Sequence, residues 1–115
     1  LIPATYDIQY YRGDTYEFYI QPKDIDGMPI DVSTFTTAFL VATSRGPDPD
    51  ASFSCTSSAM GSTIRCIIPA AVGATFVGNT VYVYDVQTTD PNTGVVRTYL
   101  TGNIYVTDQV EAALA

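Results

Sequence analysis

The stretch from Asn79 to Thr107 constrains this chain more than any other, because it reads as one long β-hairpin. Its first arm, Thr80-Val81-Tyr82-Val83-Tyr84-Asp85-Val86-Gln87, is dense in β-branched and aromatic residues. The second arm, Val95-Val96-Arg97-Thr98-Tyr99-Leu100, runs on through Ile104-Tyr105-Val106. Between them lies Asp90-Pro91-Asn92-Thr93-Gly94, a cluster of turn residues. A five-residue loop there sets Thr89 opposite Val95, Val86 opposite Thr98, Tyr84 opposite Leu100 and Tyr82 opposite Gly102. One face then carries Tyr82, Tyr84 and Val86 against Thr98, Leu100, Gly102, Ile104 and Val106. This is a continuous, largely apolar surface of the kind a buried sheet face requires. In that register the Tyr82 ring covers the strand where Gly102 lacks a side chain. The opposite face, with Asp85, Gln87, Arg97, Thr101 and Asn103, meets water or a partner.

The rest of the chain supplies shorter strands. Thr5 to Tyr11 alternates, with Tyr6, Ile8 and Tyr10 inward. Thr15 to Gln21 alternates again, with Tyr16, Phe18 and Ile20 inward and Tyr19 outward. The connector Lys23-Asp24-Ile25-Asp26-Gly27-Met28-Pro29 is rich in turn residues. Thr36 to Thr43 has no clear parity, as expected of a strand covered on both sides. Ser44 to Asp50 carries Gly46, Pro47 and Pro49 and reads as a surface loop. Ser52 to Ser57 and Thr63 to Ile68 form a second hairpin around Met60-Gly61. Its two-residue loop pairs Cys55 with Cys66 and gathers Phe53, Cys55, Ile64, Cys66 and Ile68 on one face. Pro69 to Phe76 suits one helical turn, and Asp108 to Ala115 a short helix or a tail.

About seven strands with short turns predict an all-β fold. The expected form is a two-sheet sandwich of antiparallel strands with at most one or two short helical turns. With 115 residues, a single domain spanning 1–115 is expected.

The net charge is −7, so direct nucleic-acid binding by charge is not expected. There is no His, which removes the commonest acid–base group and the commonest zinc ligand. No base stands beside any Ser to activate it, so an enzyme is not expected, nor is a cofactor. No apolar run reaches the ~18 residues of a membrane-spanning helix. The N-terminus lacks the pattern of a signal peptide, which points to synthesis in a cytoplasm.

Several short features invite a functional reading, each with a plainer one beside it. Arg12-Gly13-Asp14 matches the integrin-binding tripeptide, but a glycine turn between two strands accounts for it. Asp24, Asp26, Asp48, Asp50, Asp90 and Asn92 are oxygen donors of the type calcium uses. None sits in an EF-hand loop, and solvated turn residues explain them. Cys55 and Cys66 lie within disulfide range if directly paired, and a reducing site of synthesis favours thiols. The outward aromatic candidates are Tyr11, Tyr19, Tyr99 and Tyr105, with Arg97 beside them. Such residues suit a protein interface, and tyrosines also suit a carbohydrate platform.

Three stretches together resemble a family of immunoglobulin-like modules in tailed-bacteriophage virions. It includes the N-terminal domain of upper baseplate proteins and related decoration proteins. The stretches are Asp7-Ile8-Gln9-Tyr10-Tyr11-Arg12-Gly13-Asp14-Thr15, then Asp26-Gly27-Met28-Pro29-Ile30-Asp31-Val32-Ser33. The last is Val81-Tyr82-Val83-Tyr84-Asp85-Val86-Gln87, with Thr101-Gly102-Asn103-Ile104-Tyr105-Val106. The family usually has Leu-Thr where this chain has Val32-Ser33. The resemblance implies an immunoglobulin-like sandwich and a non-enzymatic virion structural protein, made in the host cytoplasm. A lone module of this length is expected as an accessory or decoration protein outside the capsid. The alternatives are a tail or baseplate component, or a host-surface glycan-binding module. The implied partners are phage capsid or tail proteins, met as a homo-oligomer or as lattice-bound copies.

Overall fold

The structure, a computed structural model, describes residues 3–108. Its strands are β1 (Ala4–Thr5), β2 (Ile8–Tyr11), β3 (Tyr16–Ile20), β4 (Thr36–Ala42), β5 (Ser52–Met60), β6 (Thr63–Ile68), β7 (Thr80–Thr89) and β8 (Val96–Thr107). One short helix, α1 (Ala70–Gly73), joins β6 to β7. Of the segment expected as a terminal helix or tail, 109–115 lies outside the described residues.

The strands form a curled sheet in the order β1-β8-β7-β4-β5-β6-β3, with β2 also on β8. The long strand β5 turns the curl. Its first residues pair with β4, from Phe39 opposite Cys55 to Ala42 opposite Ser52. Its later residues pair with β6, from Thr56 opposite Ile67 to Met60 opposite Thr63. The fold is all-β, as expected, but the sheet is mixed and not purely antiparallel. Both β1 and β2 run parallel to β8. Parallel neighbours need a long connection between them, and here the connection is most of the chain. It ends in the β7–β8 hairpin, which leaves the far edge of β8 open to the N-terminal segment.

The curl brings aromatic side chains face to face. Phe18 of β3 meets Phe39 of β4 at 5.4 Å between ring centroids and Tyr84 of β7 at 6.3 Å. Phe76, just after α1, stacks on Tyr82 at 4.7 Å and meets Phe53 edge-on at 5.1 Å. These rings join Ile8, Val41, Ile64, Ile68, Val86 and Ile104 in one core. The Tyr10 ring runs so close to α1 that a β-carbon on Gly73 would overlap its hydroxyl. In β4 the ambiguous parity resolves: Phe39 and Val41 are buried, whereas Leu40 is exposed on the outer side.

The main hairpin keeps its expected apolar face except at Thr98, which pairs with the outer Gln87, but not its expected pairs. Its loop is one residue longer, so Thr89 faces Val96. The Asp90 N–H donates to Val95 O and the Gly94 N–H to Asp90 O, which closes the loop. A β-bulge then inserts Tyr99, since Gln87 pairs with Thr98 and Val86 with Leu100. The two slips add to two residues, the side-chain period of a strand, so the face is restored. Tyr84, not Tyr82, therefore stands opposite Gly102, and Tyr82 faces Ile104. The second hairpin slips likewise by two, with Gly61-Ser62 as its loop. Cys66 pairs with Ser57 and not with Cys55, yet both cysteines keep the inner face.

The expected N-terminal strand is broken at Tyr6-Asp7. Tyr6 is exposed instead of inward, and its carbonyl lies against Gly102, in the space a β-carbon would need. The Tyr84 hydroxyl donates to that carbonyl at 2.5 Å. The Asp7 carboxylate takes the Asn103 N–H at 3.0 Å. Gly102 is thus explained by a backbone approach and not by a covering ring.

Candidate interaction surfaces

The sheet alternation sends Tyr11 of β2 and Tyr105 of β8 to the outer face, with accessibilities of 57% and 36%. Tyr105 pairs with Gln9 on one side and with the exposed Val81 on the other. Asn103 Nδ2 reaches the Tyr105 hydroxyl at 3.5 Å. Further along this face, Arg45 leans across from the 44–50 loop. Its Nη1 donates to Asp85 Oδ1 at 2.9 Å, and its Nη2 to Thr101 Oγ1 at 2.5 Å. Beneath that loop lies an open groove of about 390 Å³, floored by Leu40, Ala42 and Val83.

Tyr19 sits elsewhere, on the outer side of the edge strand β3, and is 55% exposed. Its hydroxyl donates to Glu17 Oε1 at 2.9 Å. Arg65 Nε donates to the other carboxylate oxygen at 2.8 Å. The Arg65 hydrogen bond, with that from Tyr19 second, holds the Glu17 carboxyl below its ordinary pKa. The same hydrogen bond to Glu17 raises the Arg65 guanidinium.

Tyr99 and Arg97 leave the face on which the sequence puts them. The bulge turns Tyr99 inward, leaving it 9% exposed, so Tyr99 is a buried residue and not an outward one. Arg97 pairs with the buried Thr88 and so lies on the inner side of the sheet, beyond the end of the core. There an open cleft of about 420 Å³ separates the hairpin from the 23–30 connector. Arg97 and Tyr99 form one wall, and Lys23, Ile25 and Ile30 the other, with Phe35 below. The five partner candidates therefore divide among three places: Tyr11 with Tyr105, Tyr19 alone, and Arg97 with Tyr99. Sequence reasoning missed Lys23 and Phe35 as neighbours of Arg97. No local signal marks that meeting, which depends on the curl.

The other candidates have local roles. Arg12 Nε binds Asp108 Oδ1 at 2.8 Å and its Nη1 binds Ala74 O at 3.2 Å, so the Arg-Gly-Asp arginine is tied to the fold. Asp24 Oδ1 accepts the N–H groups of Asp26 and Met28, and Asp90 Oδ1 that of Asn92. Those carboxylates organise their own turns. Among the described residues no group of three or more His, Cys, Asp or Glu is placed to hold a metal ion. Cys55 and Cys66 are free thiols. Burial pushes Cys55 up to about 11. Burial, with Cys55 nearby, pushes Cys66 up to about 12. Thiols so held stay protonated and are poor nucleophiles at neutral pH.

No family model matches the sequence, and no curated protein matches it. Among solved structures the chain is similar to a family 123 glycoside hydrolase from Clostridium perfringens, at 11% identity and a TM-score of 0.43. The match covers 93% of this chain but 23% of the hydrolase, so the chain spans under a quarter of that protein's length. A likeness of this order says nothing about activity.

Proposed function

We propose that this chain is a non-enzymatic structural protein of a bacteriophage particle, an accessory or decoration protein bound to the outside of the capsid. The observation that carries the reading is the outer face of β2, β8 and β7. There Tyr11, Tyr105 and Val81 stand exposed on a regular surface, and aromatic residues are enriched where proteins meet. The three virion-like stretches of the sequence support a virion protein as the partner. Many weak contacts of this kind suffice when copies repeat over a symmetric particle.

The finer fold we propose is an immunoglobulin-like sandwich. The strand order supports it, with β2, β8, β7, β4 and the start of β5 on one side, and β3, β6 and the end of β5 on the other. The corner between β6 and β7 supports it too. There the Tyr82 hydroxyl accepts the Val77 N–H at 2.8 Å, the geometry of a tyrosine corner.

The experiment is reattachment of the purified protein to particles that lack it, followed by imaging. The wild-type chain is expected to restore a regular feature on the capsid. Tyr11→Ala with Tyr105→Ala is expected to abolish reattachment while leaving the fold intact. A feature restored at the tail would move the assignment to a tail or baseplate component. Binding confined to host-surface glycan would favour the carbohydrate reading. Particles identical with and without the protein would end the structural reading.

A further inference from the structure

A second contact surface follows from where the positive charges go. The chain has five cationic side chains against twelve acidic ones. Three of the five are in ion pairs: Arg12 with Asp108, Arg45 with Asp85 and Arg65 with Glu17. Lys23 and Arg97 have no such partner among the described residues, and both line the same cleft. Asp24 borders it as well, but its Oδ1 is turned onto the N–H groups of Asp26 and Met28.

The cleft holds a third free donor. The Tyr99 ring is buried, yet its hydroxyl has no hydrogen-bond partner among the described residues. Every buried side-chain oxygen among the described residues is hydrogen-bonded, so the Tyr99 hydroxyl opens to water, and its side chain lines this cleft and the adjoining one beside Gln21 and Leu100. Three donors thus line one cleft, an ammonium, a guanidinium and a phenol, against the single carboxylate of Asp24. Around them stand Ile30 and Phe35, with Ile25 wholly exposed at 98% on the rim. A surplus of donors calls for an anion, and Arg is suited to a carboxylate, which it can grip by two parallel bonds. The apolar rim calls for an aliphatic or aromatic group beside that carboxylate. A peptide supplies both, whereas a sugar acid would set hydroxyls against Ile25 and Phe35.

We propose that the cleft between the 23–30 connector and the start of β8 docks an acidic peptide segment of a partner protein. A Glu or Asp carboxylate binds Arg97, Lys23 and the Tyr99 hydroxyl, and a neighbouring apolar side chain packs on Phe35 and Ile30. This contact is separate from the Tyr11–Tyr105 face and does not depend on the partner being a virion protein.

The test is selection from a random peptide library on the immobilised full chain, repeated with Lys23→Gln plus Arg97→Gln. Both substitutions are at the solvent surface and are expected to leave the melting curve unchanged. Selected peptides are expected to carry Asp or Glu beside an apolar residue. Their affinity is expected to fall about tenfold for each cation removed. Amide shifts of Phe35, Arg97 and Tyr99 are expected to move on titration. The proposal is overturned if no peptide is enriched or if the enriched peptides lack carboxylates. Retention of binding by the double variant overturns it equally. So does saturable binding of free sialic or glucuronic acid at these residues with no peptide selected.

Discussion

Replacing Gly102 with Ala is expected to loosen the N-terminal strands before it unfolds anything else. A β-carbon there would meet the Tyr6 carbonyl well inside 3.0 Å, a separation real β-carbons essentially never show. The obstacle is backbone and cannot rotate away, so β1 and β2 must shift from β8. Overpacking of this kind costs ~1–3 kcal/mol. The shift also stretches the Tyr84–Tyr6 hydrogen bond and the Asp7–Asn103 bond, each worth about 1 kcal/mol. The combined loss is on the order of 3–5 kcal/mol, a large part of the ~5–15 kcal/mol that stabilises a typical domain. Urea denaturation followed by tyrosine fluorescence measures the total. Hydrogen exchange locates it, and the Ile8 to Tyr11 amides are expected to lose protection first, ahead of β4 and β7. If Gly102 were present only to be covered by a facing ring, an added methyl would be absorbed easily. A change below about 0.5 kcal/mol with β2 protection intact would refute the backbone-contact account.

Tyr82→Phe removes the acceptor of the Val77 N–H and is expected to cost ~1 kcal/mol, read as a lower urea midpoint at unchanged slope. Cys66→Ser places a hydroxyl at a fully buried site and is expected to cost ~1–3 kcal/mol, with Cys55→Ser costing less because Cys55 is only half-buried. The ranking in a chemical melt checks it. Stability is also expected to fall in alkali. The two cysteines rise from 9.0 to about 11 and about 12, and Tyr10 and Tyr16 from 10.0 to about 12, mainly through burial. Below about pH 8 these groups are neutral folded or unfolded, so their contribution is fully present. As pH rises the unfolded chain ionises first, and stability drains away until the folded groups ionise near 12. Urea midpoints taken at steps from about pH 8 to about pH 11 check the sign. A flat profile would mean these side chains are more open to water than the structure has them.

The sequence by itself determined most of the buried faces. Alternation put Tyr82, Tyr84, Val86, Leu100, Ile104 and Val106 inside, and they are inside. It also determined the all-β class, a turn beginning at Asp90 and the short helix after Pro69. These are local properties: a strand has a period of two whatever it pairs with, and turn residues act on their own backbone. What only the tertiary structure decided is which residues stand opposite one another. A slip of two residues preserves every face, so hydrophobic pattern cannot detect it. That is why Tyr84 and not Tyr82 faces Gly102, and why Cys66 faces Ser57. The longer loop and the bulge at Tyr99 are equally invisible in the pattern, yet together they turn Arg97 and Tyr99 from the outer face into the cleft. The parallel seat of β1 and β2 on β8, and the meeting of Lys23 with Arg97, join segments separated by most of the chain. No residue announces such meetings along the sequence, because they are settled by how the sheet curls and which edge it leaves open.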